Sequence, residues 1–169
     1  NGKVVGWFQG RMEAGPRALG QRSILADPRR VGSRDQVNSV IKYREMWRPF
    51  CPSMPAECAA DYFDDYTDAP FMILSFIANQ RLRAEAPAIV HVDGTARVQF
   101  VHEEVLPLYH RLLRTFGKKT GVPVLLNTSF NVRGEPIVCS IQDAIRTFWG
   151  TGMDVLAAGK YLIRKNLPN

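Results

Sequence analysis

The longest mainly apolar runs in this chain, such as residues 71–77 and 122–126, are of strand length, and amphipathic stretches with helical spacing lie between the shorter runs. Runs of that length build sheets, whereas a bilayer span needs about 20 apolar residues. Neither a membrane helix nor the apolar core of a signal peptide is present in the sequence. Strand-like runs begin at residues 4–8 and 23–26 and recur at 71–78, 122–126, 155–157 and 160–163. Residues 89–92 and 96–101 flank Asp93 and Gly94, the sequence of a tight hairpin. Helical patterns fall between these strands. One starts at Ser33, where Ser33 and Gln36 have capping-box spacing and Val37, Val40 and Ile41 share a face. A second, shorter helix covers residues 56–63. A third starts at Pro107, with Leu108, Leu112 or Leu113, and Phe116 as its stripe. A fourth is capped by Ser140 and Asp143, with Ile141, Ile145 and Phe148 facing inward. Hairpins alternating with helical crossovers predict an α/β fold: an open, twisted, mixed parallel and antiparallel sheet flanked by helices.

Charge is unevenly spread. Ten of the 22 Lys and Arg residues lie in positions 1–48, against four of the 16 acids, so the whole net charge of +6 arises there. A basic segment attracts anions such as phosphates, although a solvated basic face has the same composition. Its centre is residues 10–20, with glycines at 10, 15 and 20 and with Pro16 and Arg17 between them. This is a shaped loop in which Arg17 could serve a phosphate. It lacks the Lys-Ser or Lys-Thr of a P-loop, and a glycine-rich surface turn fits the same residues. Lys42 and Arg48 flank a segment that becomes extended at the prolines 49 and 52. Both are candidate phosphate ligands if the residues between them turn back, and solvated charges otherwise. Arg97 reads as an outward-facing strand arginine. Asn127 and Ser129 follow an apolar strand, at the carboxyl end where α/β folds place ligands.

The three cysteines, Cys51, Cys58 and Cys139, have no CxxC spacing and read as buried free thiols. His91, His102 and His110 lack metal-site spacing. There is no GxSxG and no Cys–His nucleophile arrangement, which argues against covalent hydrolase chemistry.

Residues 10–29 (GRMEAGPRALGQRSILADPR) and 126–138 (LNTSFNVRGEPIV), with 41–52 (IKYREMWRPFCP) and 159–163 (GKYLI), resemble the antibiotic and nodulation-factor O-carbamoyltransferases, and are most like aminoglycoside enzymes of the tobramycin type. The resemblance implies that residues 1–169 are a single YrdC-like domain, the C-terminal piece of a longer cytoplasmic protein. A Kae1-like N-terminal domain holding iron or another metal would be its partner. It also implies that the YrdC-like part makes carbamoyl-adenylate from carbamoyl phosphate and ATP, with Mg2+ carried by the nucleotide, for transfer to an antibiotic hydroxyl. Carried onto this sequence, the family pattern implicates Arg17, Lys42, Arg48, Arg97, Asn127 and Ser129. Two other readings stand beside it: an RNA-binding module, favoured by the basic first third, and a catalytically silent docking domain.

Overall fold

The computed structural model describes residues 2–42 and 50–165, without the side chains of Val40 and Lys42. In chain order its strands are β1 (Val5–Phe8), β2 (Arg22–Ala26), β3 (Cys51–Pro55), β4 (Phe76–Ile77), β5 (Thr95–Ala96), β6 (Gln99–Val101), β7 (Leu125–Ser129), β8 (Val155–Ala158) and β9 (Tyr161–Arg164). Its α-helices are α1 (Gly32–Val37), α2 (Ala59–Tyr62), α3 (Gln80–Glu85), α4 (Pro107–Thr120) and α5 (Ile141–Trp149). Seven strands form one sheet in the order β6-β3-β7-β2-β1-β8-β9, while β4 and β5 pair separately. The β3–β6 and β1–β8 pairs are parallel and the other pairs antiparallel, so the expected mixed α/β sheet is present.

Each face of the sheet has its own core. On one side Ile24, Met54, Phe100, Leu126 and Leu156 meet Val37 and Ile41, the α2 residue Tyr62 and the α5 residue Phe148. On the other, Trp7, Leu25, Val101 and Leu125 meet Tyr109 and Leu113 of α4. Burying a Leu side chain of this kind stabilises by about 1.5–3 kcal/mol, which is what holds α4 across the sheet. That helix starts at Pro107, ends in basic residues Lys118 and Lys119, and is closed by Gly121 at φ 83°. The small β4–β5 sheet is anchored by aromatic contact: Phe76 stacks on Phe100 of β6 with centroids 6.1 Å apart, and Phe63 meets both edge-on. This anchor fixes the β5–β6 connection, which carries Arg97. Among the described residues no helix is long and apolar enough to cross a membrane.

Several local expectations are corrected. Ser33 caps nothing: the chain already turns at Arg30, whose carbonyl accepts the Ser33 N–H, so Ser33 lies inside the first turn. Residues 71–78 form only the two-residue β4, because Met72 adopts φ 54° and leaves Phe71 and Ile73 exposed. The 89–101 hairpin does not form. Its turn exists, with His91 N–H on the Thr95 carbonyl at 2.8 Å, but Pro87–Ile89 winds into a 3-10 turn and β5 pairs with β4 instead. The strand expected at 122–126 starts later, at Leu125, after Pro123 has removed a ladder donor, so Asn127 and Ser129 lie within β7. The inward face of α4 is Tyr109 and Leu113, whereas Leu108 is exposed. On α5, Ala144, Thr147 and Phe148 face the core, whereas Ile141 and Ile145 are exposed at its edge. The capping box at Ser140 and Asp143 is present as expected. Cys51 and Cys58 are buried, but Cys139 is exposed.

Candidate functional site

The loop between β1 and β2 has its shape imposed from three sides. Glu13 Oε1 accepts the main-chain N–H groups of Leu19 and Gln21, both at 2.7 Å, and of Arg22 at 3.3 Å. The buried Arg22 guanidinium donates to the carbonyls of Gln9 at 2.7 Å and Gly10 at 3.2 Å, and lies over the Phe8 ring. Its burial holds its pKa below the ordinary arginine value, with Glu13 pulling the other way. Gly20 could be no other residue: it has φ 106°, and a Cβ there would meet Tyr109 Cδ1 at 2.3 Å. Its carbonyl also accepts the Trp7 indole N–H at 2.8 Å. Arg17 stands at the exposed apex of this clamped loop, with no hydrogen bond or ion pair among the described residues.

Two buried amides tie the loop to the sheet. Asn127 of β7, 1% exposed, donates from Nδ2 to the Ala18 carbonyl at 3.3 Å and to Ser53 Oγ at 3.0 Å, with Gln99 Oε1 at 3.4 Å. Gln99 of β6 donates to the Leu19 carbonyl at 2.8 Å and accepts from the Ser53 hydroxyl at 2.8 Å. Because Nδ2 faces two carbonyl oxygens, turning the amide over would set oxygen against oxygen; the assignment is fixed. It leaves Asn127 Oδ1 buried with no partner. Tyr109 lies against this network, and its burial pushes the phenol well above its usual range, so it stays neutral.

Where the loop meets the carboxyl end of β7 there is a cleft of about 90 Å³, with Arg17, Cys51, Met72, Arg97, Asn127 and Ser129 in its lining. Arg97 is half-buried and does not point out from its strand. Its Nε and Nη2 both lie 3.2 Å from Cys51 Sγ, which holds the guanidinium plane at the cleft wall. Ser129 Oγ donates to Asn131 Oδ1 at 2.7 Å. Four of the residues singled out in the sequence therefore meet in one place. For Lys42 the main chain ends a π-helical turn, Asn38–Lys42, that continues α1. Its side chain and all of Arg48 lie outside the described residues. Sequence reasoning missed Glu13, Ser53, Gln99 and Met72. Gln99 carried the one available signal, a carboxamide in a run of apolar strand residues.

Elsewhere, His102 pairs with Asp68 at 2.9 Å, and the buried His110 pairs with Glu57 at 3.0 Å. Among the described residues no three His, Cys, Asp or Glu side chains gather as metal ligands would. Two arginines lining one cleft, with a hydroxyl and a partnerless amide oxygen, instead suit a ligand that bears both anionic oxygens and N–H or O–H donors.

The family model described as "Carbamoyltransferase C-terminus" matches residues 1–165. The chain belongs to that family. It is 49% identical over 98% of its length to the nodulation protein NolO of Bradyrhizobium diazoefficiens, and spans 31% of that protein. It is 48% identical over 98% of its length to the nodulation protein NolNO of Sinorhizobium fredii, spanning 25% of it. It is also 39% identical over 94% of its length to a 3'-hydroxymethylcephem-O-carbamoyltransferase of Amycolatopsis lactamdurans, spanning 30% of that enzyme. The chain thus covers under a third of each of these three relatives.

Proposed function

We propose that this chain forms carbamoyl-adenylate from carbamoyl phosphate and ATP, as the YrdC-like unit of a longer cytoplasmic carbamoyltransferase. The observation that carries the reading is the meeting of Arg17, Arg97, Asn127 and Ser129 in one cleft. Water first releases carbamate and phosphate from carbamoyl phosphate. A carbamate oxygen then attacks the α-phosphorus of ATP, and the bond from that phosphorus to the pyrophosphate oxygen breaks. Charge moves onto the α-phosphate oxygens and the departing pyrophosphate, so fixed cations assist most.

Arg17, free at its loop apex, and Arg97, braced by Cys51, supply guanidinium forks to those oxygens. Lys42 and Arg48 hold further phosphate oxygens and the carbamoyl group. The partnerless Asn127 Oδ1 accepts from the carbamoyl NH2, while the Ser129 hydroxyl turns from Asn131 to donate to an oxygen of the adenylate or of the carbamoyl end. Mg2+ arrives on the nucleotide phosphates, as is usual for that ion. The remaining part of the longer protein, Kae1-like and holding iron or another metal, passes the carbamoyl group to a hydroxyl of an antibiotic, an aminoglycoside in our reading.

The test is exchange of labelled pyrophosphate into ATP. The expected result is exchange that requires carbamoyl phosphate and disappears in Lys42→Ala and Arg97→Ala. Exchange that survives both substitutions would remove these residues from the site. ATP binding without exchange would mean that the site lies in this chain and needs the rest of the longer protein, absence of any nucleotide binding would leave a docking role, and RNA binding indifferent to ATP would support the nucleic-acid reading.

A further inference from the structure

The cleft lined by Arg17, Arg97, Asn127 and Ser129 holds about 90 Å³. A pocket that takes a whole drug-sized ligand, the size class of a nucleotide, has roughly 300–1,000 Å³. A nucleotide therefore enters only if a wall gives way, and most of the walls are fixed. Cys51 and residues 127–129 belong to the central strands β3 and β7, and Phe50 is part of the core. Asn127 is tied to Ala18 and Ser53, and Arg97 is held against Cys51. Apart from the loop apex at Pro16 and Arg17, the wall left without such a tie is Met72.

Among the described residues Met72 is the one non-glycine with a positive φ, 54°. In that conformation Cβ crowds the following carbonyl oxygen, so a residue with a side chain adopts it only when its surroundings impose it. What the chain gains in return is burial. Met72 is 3% exposed, whereas its neighbours Phe71 and Ile73 are 58% and 69% exposed. The twist thus turns one thioether into the cleft and two apolar side chains out to solvent. Both ends of the segment are pinned to Phe100, by its N–H on the Ala69 carbonyl at 3.0 Å and by the Phe76 ring stacked on its own. Residues 70–75 between these pins belong to no strand or helix. Backbone strain and side-chain burial oppose each other there, which is the condition for two arrangements of similar free energy.

We propose that residues 70–75 are a strap with two positions: in the empty protein Met72 plugs the cleft, and as a nucleotide enters its side chain swings out while its backbone relaxes to a negative φ. The proposal rests on the nucleotide-binding reading above and adds how the cleft opens for its ligand. Such a plug lowers affinity, because only molecules with Met72 withdrawn can bind, and the apparent Kd is the intrinsic one divided by that fraction. With about a tenth of the empty molecules open, the plug weakens binding about tenfold.

The experiment follows the thioether itself. Dilute peroxide converts an accessible methionine to its sulfoxide, and peptide mass spectrometry reads each methionine separately. In the intact protein without nucleotide, Met72 should oxidise slowly, near the rate of the buried Met54 and Met153. At saturating Mg2+ and ATP it should oxidise about ten times faster, toward the rate of the exposed Met12, with Met54 and Met153 unchanged. Met72→Ala removes the plug, so its affinity for ATP in calorimetry should rise by the same factor, about tenfold. Met72→Leu, of similar volume, should gain little. Agreement of the two factors is the mark of a single equilibrium. ATP binding that leaves Met72 oxidation unchanged, or slows it, overturns the strap and leaves the nucleotide reading standing, and that measurement needs no substitution. A Met72→Ala protein that is folded by circular dichroism and binds ATP no more tightly than the parent overturns it too. Failure of the unsubstituted protein to bind ATP overturns both.

Discussion

Replacing Gln99 by Leu is the sharpest perturbation of the clamp that aims Arg17. Gln99 is fully buried, and its carboxamide serves the Leu19 carbonyl on the loop and the Ser53 hydroxyl on β3. Leu fills a similar volume, so no large cavity opens, but it strands that carbonyl and that hydroxyl away from water. Each stranded group costs about 1–3 kcal/mol, and the extra apolar burial offsets part of the sum, which leaves a net loss of roughly 2–4 kcal/mol. For a chain of this size the urea slope is about 2 kcal/mol per molar, so the unfolding midpoint should fall by roughly 1–2 M with an unchanged slope. The loop would also lose one of its two amide anchors. In pyrophosphate exchange the KM for ATP should therefore rise more than the maximal rate falls, because Arg17 remains present but is less well placed. A Gln99→Leu protein with the original midpoint and the original KM would refute the view that buried amides position the loop.

Three further outcomes follow from other contacts. Gly20→Ala should fail to fold or melt far below the parent, since the new Cβ would meet the Tyr109 ring at 2.3 Å and the backbone has φ 106°; thermal unfolding checks this, and a small effect would mean that Tyr109 can move. Asp27 is pushed up by burial, but the two-pronged bond and the main-chain N–H from Arg29 outweigh that and hold it below the usual carboxylate range. Its folded pKa is thus lower than the unfolded value near 3.9. The stability it contributes is present above about pH 4 and is lost as pH falls through the folded value. Urea midpoints measured down to acid pH should therefore fall less steeply in Asp27→Asn, and identical slopes would discard the linkage. Arg97→Lys keeps the charge but loses the planar fork braced by Cys51, and exchange should drop by about tenfold, the cost of one hydrogen bond to a charged group; a full rate would mean that a point charge suffices there.

Much of the architecture was legible because period and punctuation agree. The runs at residues 4–8, 23–26, 155–157 and 160–163, the Ser140–Asp143 cap and the glycines around Arg17 each carry local information, and each is found in the structure where the pattern placed it. What the sequence concealed depends on contacts between distant residues. The 71–78 run looks like a strand, yet Met72 turns to line the cleft and the ladder is confined to Phe76 and Ile77. Asp93 and Gly94 make their tight turn, but β5 has a partner earlier in the chain, which no local signal announces. At the site, arginines and polar strand-end residues could be picked out by type, and four of the six candidates converge. Their supports could not be found in this way, because Glu13, Ser53 and Gln99 matter through main-chain atoms far from them in sequence. The orphaned acceptor Asn127 Oδ1 is likewise a property of burial rather than of residue type.

The most direct measurement is a single turnover of the intact protein with ATP and carbamoyl phosphate bearing 18O in its carbonyl group, with mass spectrometry of the nucleotide formed. If a carbamate oxygen attacks the α-phosphorus, the released product is AMP, and a portion of it carries 18O in the former bridging oxygen once water or an acceptor hydroxyl attacks the carbamoyl carbon and AMP leaves. AMP free of label, or ADP as the only nucleotide product, would contradict adenylate formation in this family member.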